Sequence, residues 1–262
     1  MNEYVDVDAM SPVDRAALKR LIMGLADSKR LMGIRYSDWI LGAPTIETGV
    51  ATSSMTQDEW GHARLLYSML KHLGEDPVVA EHDRPAEAYG NLSVLDEPAE
   101  NWAALVSAMV IADGAMTVAL AGFAGGRFEP ATSRVAKMVS EEEFHVSMST
   151  AWYRRLADAS EEAQLLLRAA TDRQLPVALA WLGTNDAAKE ALAAAGVTST
   201  AAEQVASFKD AVRGVLASGG VDVDAVAPAG EWDTDRGRGL GQPDADSIER
   251  ARGDRNRALF VE

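Results

Sequence analysis

Four histidines occur in the 262-residue chain, and two of them follow a glutamate by three positions: Glu59-Trp-Gly-His62 and Glu142-Glu-Phe-His145. Three residues along an α-helix brings two side chains onto one face, so each pair can present a carboxylate and an imidazole together. Two such helices facing each other build a dinuclear carboxylate centre. Carboxylate oxygen plus imidazole suits iron or manganese, and with no cysteine in the chain no thiolate favours a softer metal. A third acid, Asp113, stands alone in the apolar run Ala103–Gly126. A buried carboxylate needs a partner, which makes Asp113 a candidate ligand or a support for one. The bland alternatives are a solvated acidic helix face over Glu141–Glu143 and an Asp113 satisfied by a nearby Arg or Trp.

These residues require long helices to carry them. Strand patterns are nearly absent, and periodic stretches rich in Ala, Leu, Met, Glu and Arg are broken by Pro and Gly at wide intervals. Ser11-Pro12 reads as a cap followed by Pro at the first helical position, with Gly42-Ala43-Pro44 closing that helix after about Leu41. A second helix is expected from Thr45 to Leu73-Gly74, a third over Pro98–Phe123 and a fourth over Pro130–Ala157. Helices of about 26–29 residues are near 40 Å long at 1.5 Å per residue. Short links join the first to the second and the third to the fourth, while residues 75–97 form a long connection. That predicts an all-α, ferritin-like four-helix bundle with a long crossover between helices 2 and 3. Further helices are expected near 160–183, 186–195 and 199–217. Residues 1–217 then form the helical domain, and the Gly-, Asp- and Arg-rich residues 218–262 read as a docking tail.

In this arrangement Glu59, Asp113 and Glu142 fall near the centres of helices 2, 3 and 4, at one level of the bundle. A complete dinuclear site also takes a carboxylate from the first helix. The central residue there is Lys29. Asp27 is two positions away and points to the opposite side at about 100° per residue, and Asp38 is about 13 Å along the axis. Five ligands of six are therefore present.

Composition narrows the remaining classes. Lys plus Arg total 25 against 40 Asp plus Glu, a net charge of −15 that argues against general nucleic-acid or anionic-membrane binding. Without Cys, zinc-finger, iron–sulfur, thiol-nucleophile and disulfide readings fall together. The acidic start MNEYVDVDAMSPVDR lacks the order of a secretion signal. In a bilayer Asp113 would cost about 2.5–3.5 kcal/mol, so the apolar run reads as a buried helix. The expectation is a cytoplasmic protein.

Several segments resemble the phenylacetic-acid-catabolic proteins, the ferritin-like subunits of the bacterial phenylacetyl-CoA epoxidase (ring-1,2-monooxygenase). They are Trp39-Ile-Leu-Gly-Ala-Pro-Thr45, Gln57-Asp-Glu-Trp-Gly-His-Ala63, Leu66-Tyr-Ser68, Ala112-Asp-Gly-Ala115, Glu141-Glu-Glu-Phe-His145 and Trp181-Leu-Gly-Thr-Asn-Asp186. The resemblance covers about residues 13–186. It implies a di-iron centre held by Glu59, His62, Asp113, Glu142 and His145, oxygen activation with electrons from an external reductase, and an aromatic or other unsaturated CoA thioester as substrate. It also implies a homo- or hetero-oligomer with a ferritin-like paralogue. Where the catalytic member of the family carries a first-helix glutamate, this chain has Lys29. Leu25-Ala-Asp and Arg35-Tyr-Ser-Asp-Trp39 look more like the family's non-catalytic member. Two outcomes follow: a di-iron site lacking one protein ligand, or an ammonium in the place of a metal, as in a structural subunit that stabilises a catalytic paralogue. Arg134, Lys137, Arg154 and Arg155 are the cations available to a CoA-type anion or to solvent, and Trp39, Trp60 and Trp102 are available to a pocket or to the core.

Overall fold

A computed structural model describes residues 4–184 and 187–254. Ten α-helices are found among them: α1 Pro12–Asp38, α2 Ile46–Met69, α3 Pro77–His82, α4 Trp102–Ala108, α5 Gly114–Ala121, α6 Glu129–Ala157, α7 Glu161–Gly183, α8 Ala187–Ala194, α9 Ala201–Ser218 and α10 Ala245–Arg252. No β-strand occurs among the described residues. The expected helical bundle with its long crossover is present. Helix α1 starts as its sequence dictates, with Ser11 accepting from the Asp14 amide and Pro12 in the first turn.

The third long helix departs from expectation. It opens at Trp102 rather than Pro98, because Asn101 caps it by accepting from the Ala104 amide. It is also interrupted: a π-helical turn, Met109–Asp113, joins α4 to α5. Such a turn holds one residue more than an α-turn and offsets the helix faces on either side by about 100°. Asp113 ends that turn. The whole Trp102–Ala121 segment has the length and apolarity of a membrane span, but 83% of its most apolar window is buried inside the protein, which makes it a core helix.

Helix α1 has no simple amphipathic stripe, since nearly every residue from Ile22 to Tyr36 is covered. One side packs in the bundle, chiefly against α2. The other side is covered by the crossover and by the C-terminal segment. Asp27 accepts from the Gly90 amide at 2.8 Å, and Ser28 accepts from the Leu92 amide at 2.9 Å. Arg35 donates to the Leu95 and Asp96 carbonyls, to Ser247 and to Asp244. The segment expected as a tail thus lies against α1 and carries a helix, α10, that its polar composition concealed. Residues 255–262 of that tail, and Asn185-Asp186, fall outside the described residues.

Gly33 sets the spacing of α1 and α2 at the level of the central acids. A methyl group there would lie 2.5 Å from the Trp60 ring and 3.2 Å from the Glu59 Cβ, so only glycine admits this approach.

Candidate metal centre

Glu59 and His62 on α2, Asp113 at the π-turn, and Glu142 and His145 on α6 converge at one level, and all five are buried. Glu59, Asp113, Glu142 and His145 each place a ligand atom within 4.8 Å of the others, a grouping able to hold a metal ion. These are the residues that helical spacing predicts to meet. What fills their centre is Lys29.

The Lys29 side chain is fully buried, and its Nζ lies 2.8 Å from Glu59 Oε1, 2.7 Å from Asp113 Oδ1 and 2.5 Å from Glu142 Oε1. An ammonium has three N–H donors and no lone pair. Each donor here takes one carboxylate, from three different helices. Burial alone would push the lysine toward neutrality, but attraction to Asp113, Glu142 and Glu59 overrides it and holds the group well above its ordinary pKa.

The imidazoles complete the network. His145 Nδ1 lies 3.0 Å from Asp113 Oδ2, 3.3 Å from Glu142 Oε2 and 3.4 Å from Glu59 Oε1. Burial opposes its protonation, yet hydrogen bonding to Asp113, Glu142 and Glu59 raises its pKa far enough that it is cationic at neutral pH. His62 Nε2 meets Glu141 Oε2 at 2.9 Å, while its Nδ1 lies 3.1 Å from Glu142 Oε1 without the alignment of a hydrogen bond. Burial lowers and Glu142 raises the His62 pKa, with a net rise.

The three acids respond unequally. Burial and the Asp113 charge push Glu59 up to about 7, against the pull of Lys29. Glu142 is raised by burial but ends well below the ordinary carboxylate range, held there by Lys29 and the two imidazoles. Asp113 also ends low: burial and Glu142 oppose its charge, and Lys29 and His145 favour it. Two cations, Lys29 and His145, therefore face the carboxylates Asp113 and Glu142, with Glu59 able to share a proton near neutrality. The cluster balances its own charge.

Two further residues belong to the site. Tyr36 donates to Asp113 Oδ2 at 2.7 Å, and Thr117 donates to Glu142 Oε2 at 3.1 Å. Both were legible in principle, since Tyr36 follows Lys29 by seven residues, two helical turns, and Thr117 follows Asp113 by four. Burial and the neighbouring Asp113 charge raise the Tyr36 phenol well above its usual pKa.

Other candidates lie elsewhere. Asp27 turns away from the centre, as its position predicts, to bind Arg84, Tyr67 and the Gly90 amide. Asp38 pairs with Arg250 at the surface. Trp39, Trp102 and Trp152 form an aromatic chain with ring separations of 5.9 and 5.3 Å. Trp60 faces the Arg30 guanidinium. Arg134 donates to the Pro130 carbonyl, Lys137 pairs with Glu141, and Arg155 lies over the Trp152 ring, so these cations have local partners.

The donor set does not fit two irons. The dinuclear pattern takes four carboxylates and two histidines, and the fourth carboxylate position is held by a cation whose three donors occupy the oxygens a metal would use. A single ion among Glu59, Asp113, Glu142 and His145 would first have to displace that ammonium.

A helical bundle that closes three carboxylates and two imidazoles around one point has the architecture of a dinuclear carboxylate protein, here with lysine at that point. The chain belongs to the phenylacetic acid catabolic protein family, whose sequence profile matches residues 1–243. It is similar to one of the subunits of the 1,2-phenylacetyl-CoA epoxidase of Escherichia coli (strain K12), with 28% identity over 181 residues. That alignment covers 68% of this chain and 58% of the relative's length.

Proposed function

We propose that this chain is a structural subunit of an oxygenase of the phenylacetic-acid-catabolic type, keeping the bundle of a di-iron protein but not its metal pair. In this reading it stabilises a catalytic ferritin-like paralogue, and the aromatic acyl-CoA substrate, the reductase and the oxygen chemistry belong to that partner. The observation that carries it is the Lys29 ammonium, buried and bonded to Glu59, Asp113 and Glu142 at 2.5–2.8 Å. A protonated lysine there provides the countercharge that the acids otherwise take from metal.

A second reading is supported by the intact Glu59/His62 and Glu142/His145 pairs and by three buried atoms without a hydrogen-bond partner, Glu59 Oε2, His62 Nδ1 and His145 Nε2. In it the chain is itself the di-iron monooxygenase component that acts on an acyl-CoA. Elemental analysis after anaerobic incubation with ferrous iron separates the two. Iron well below one per chain is expected; two irons per chain, with oxygen uptake in the presence of phenylacetyl-CoA and a reductase, would establish the second reading instead.

A further inference from the structure

The disagreement between the donor set and a metal pair resides in one side chain. We propose that Lys29 is a single-residue lock on a latent metal centre: the other five donors are positioned for metal, and the ammonium alone excludes it. This rests on the metal-free reading of the centre given above.

The geometry at Nζ supports the substitution of one cation for another. Its three oxygen neighbours lie 2.5–2.8 Å away and come from α2, the π-turn and α6. Carboxylate oxygens bind a divalent first-row ion such as zinc at about 2.0–2.2 Å, so an ion at the Nζ position needs each oxygen to move inward by about half an ångström. That is within the reach of side-chain torsion. The surrounding groups already fix the acids for such a role. Tyr36 and His145 hold Asp113 Oδ2, leaving Oδ1 directed at Nζ, and Thr117 holds Glu142 Oε2, leaving Oε1 directed there. Supports of this kind orient the ligands of a metal site.

Glutamate at position 29 has the right length. Its carboxylate oxygens end where the lysine Cε lies, one bond of about 1.5 Å short of Nζ, and so stop beside an ion rather than on it. Lys29→Glu would then supply the fourth carboxylate and, with His62 and His145, complete the four-carboxylate, two-histidine set. The unpartnered Glu59 Oε2, His62 Nδ1 and His145 Nε2 are the remaining buried atoms available to metal.

The test compares wild type with Lys29→Glu and Lys29→Gln, each expressed with manganese in the medium, purified, and titrated anaerobically with Mn(II) or Fe(II). The expected result is negligible metal in the wild type and about two ions per folded Lys29→Glu chain. Metal-coupled Mn(II) resonance and a melting temperature that rises with Mn(II) should accompany the gain, since a ligand of the native state stabilises it. Lys29→Gln removes the cation without adding a charge, and its melting temperature should also rise with Mn(II). It keeps the test decisive if Lys29→Glu fails to fold. Two ions in the wild type would overturn both the metal-free reading and the lock. A metal-free wild type beside folded variants that bind no Mn(II) or Fe(II) would overturn the lock alone.

Discussion

The Lys29 ammonium lies 2.7 Å from Asp113 Oδ1, joining the middle of α1 to the end of the π-helical turn between α4 and α5. Neither group has access to bulk water. Each is therefore a condition for the other: an isolated buried charge costs far more than a paired one, so the lysine stays protonated because the acids are there, and the acids stay ionised because the lysine is.

Lys29→Met should destabilise the protein by about 3–5 kcal/mol at pH 8, the usual cost of removing one partner from a buried ionic cluster. At pH 5.5 the loss should be smaller. Glu59 already reaches a pKa of about 7 with the lysine present, and losing the cation makes protonation easier still. Urea unfolding of wild type and variant at both pH values checks this. Equal losses at the two pH values would mean that the lysine does not act as countercharge to the acids.

The wild type should itself be most stable in mildly acidic solution. Glu59 is raised from 4.5 to about 7, so its contribution is complete below its ordinary pKa and lost as pH rises through 7. His62 and His145 are both raised above 6.5, and their contributions are complete below that value and decline above it. Asp113 and Glu142 are lowered from 3.8 and 4.5, so theirs are present above those values and lost as pH falls. The maximum then lies between the ordinary carboxylate and imidazole ranges. Each raised group contributes a slope of up to about 1.4 kcal/mol per pH unit above it. Unfolding midpoints measured from pH 4 to pH 9 should fall on both sides of that window, and a flat profile from pH 6 to pH 9 would contradict the charge assignment.

The five donor residues were legible because each depends on helical spacing alone: Glu59 to His62, Glu142 to His145, and an acid isolated in an apolar run. Lys29 was legible as a substitution at the level of the other acids. Its reach into the centre was not, because a lysine at mid-helix reads equally well as a solvated surface residue until the cover over α1 is known. That cover comes from residues distant in sequence, including Arg84, Leu92, Leu95 and Ser247. The π-turn was invisible for a related reason. Met109–Asp113 has the composition of an ordinary apolar helix, and the extra residue is imposed by packing on both sides.

A second buried ionic group makes the crossover dependent on α1. Asp27 has no exposure and is held by Arg84, by Tyr67 at 2.6 Å and by the Gly90 amide at 2.8 Å. Arg84 also lies over the Tyr89 ring, 4.6 Å from its centroid. Arg84→Met should lower stability by about 3–5 kcal/mol, because Asp27 keeps its burial and loses its bonded cation. The double variant Asp27→Asn, Arg84→Met should recover part of that loss, as removing both charges leaves neither uncompensated. Denaturant unfolding of the three proteins measures the difference. A double variant as unstable as the single one would assign the loss to packing of the guanidinium rather than to the stranded charge.

The C-terminal segment depends most on Arg238, which is fully buried although residues around it reach the surface. It donates to Asn91 Oδ1 at 2.6 Å, to the Gly239 carbonyl and to the Asp96 carboxylate, tying residues 233–239 to the crossover. Asp96 in turn accepts from Asn91, and its carbonyl accepts from the Asp244 amide at the start of α10. Burial pushes Asp96 upward and Arg238 counters it, so Arg238→Ala leaves an acid in a half-closed site with its main countercharge gone. The expected cost is about 2–4 kcal/mol. The local effect should be larger than the global one, because the α10 contacts of Arg35 with Asp244 and Ser247 remain but the loop before them loses its anchor. Limited proteolysis should therefore cut the variant within residues 228–243 under conditions where the wild type is intact, and the cleaved protein should keep the helical content of α1–α9. Equal resistance in the two proteins would show that Arg35 and α10 hold the segment without Arg238.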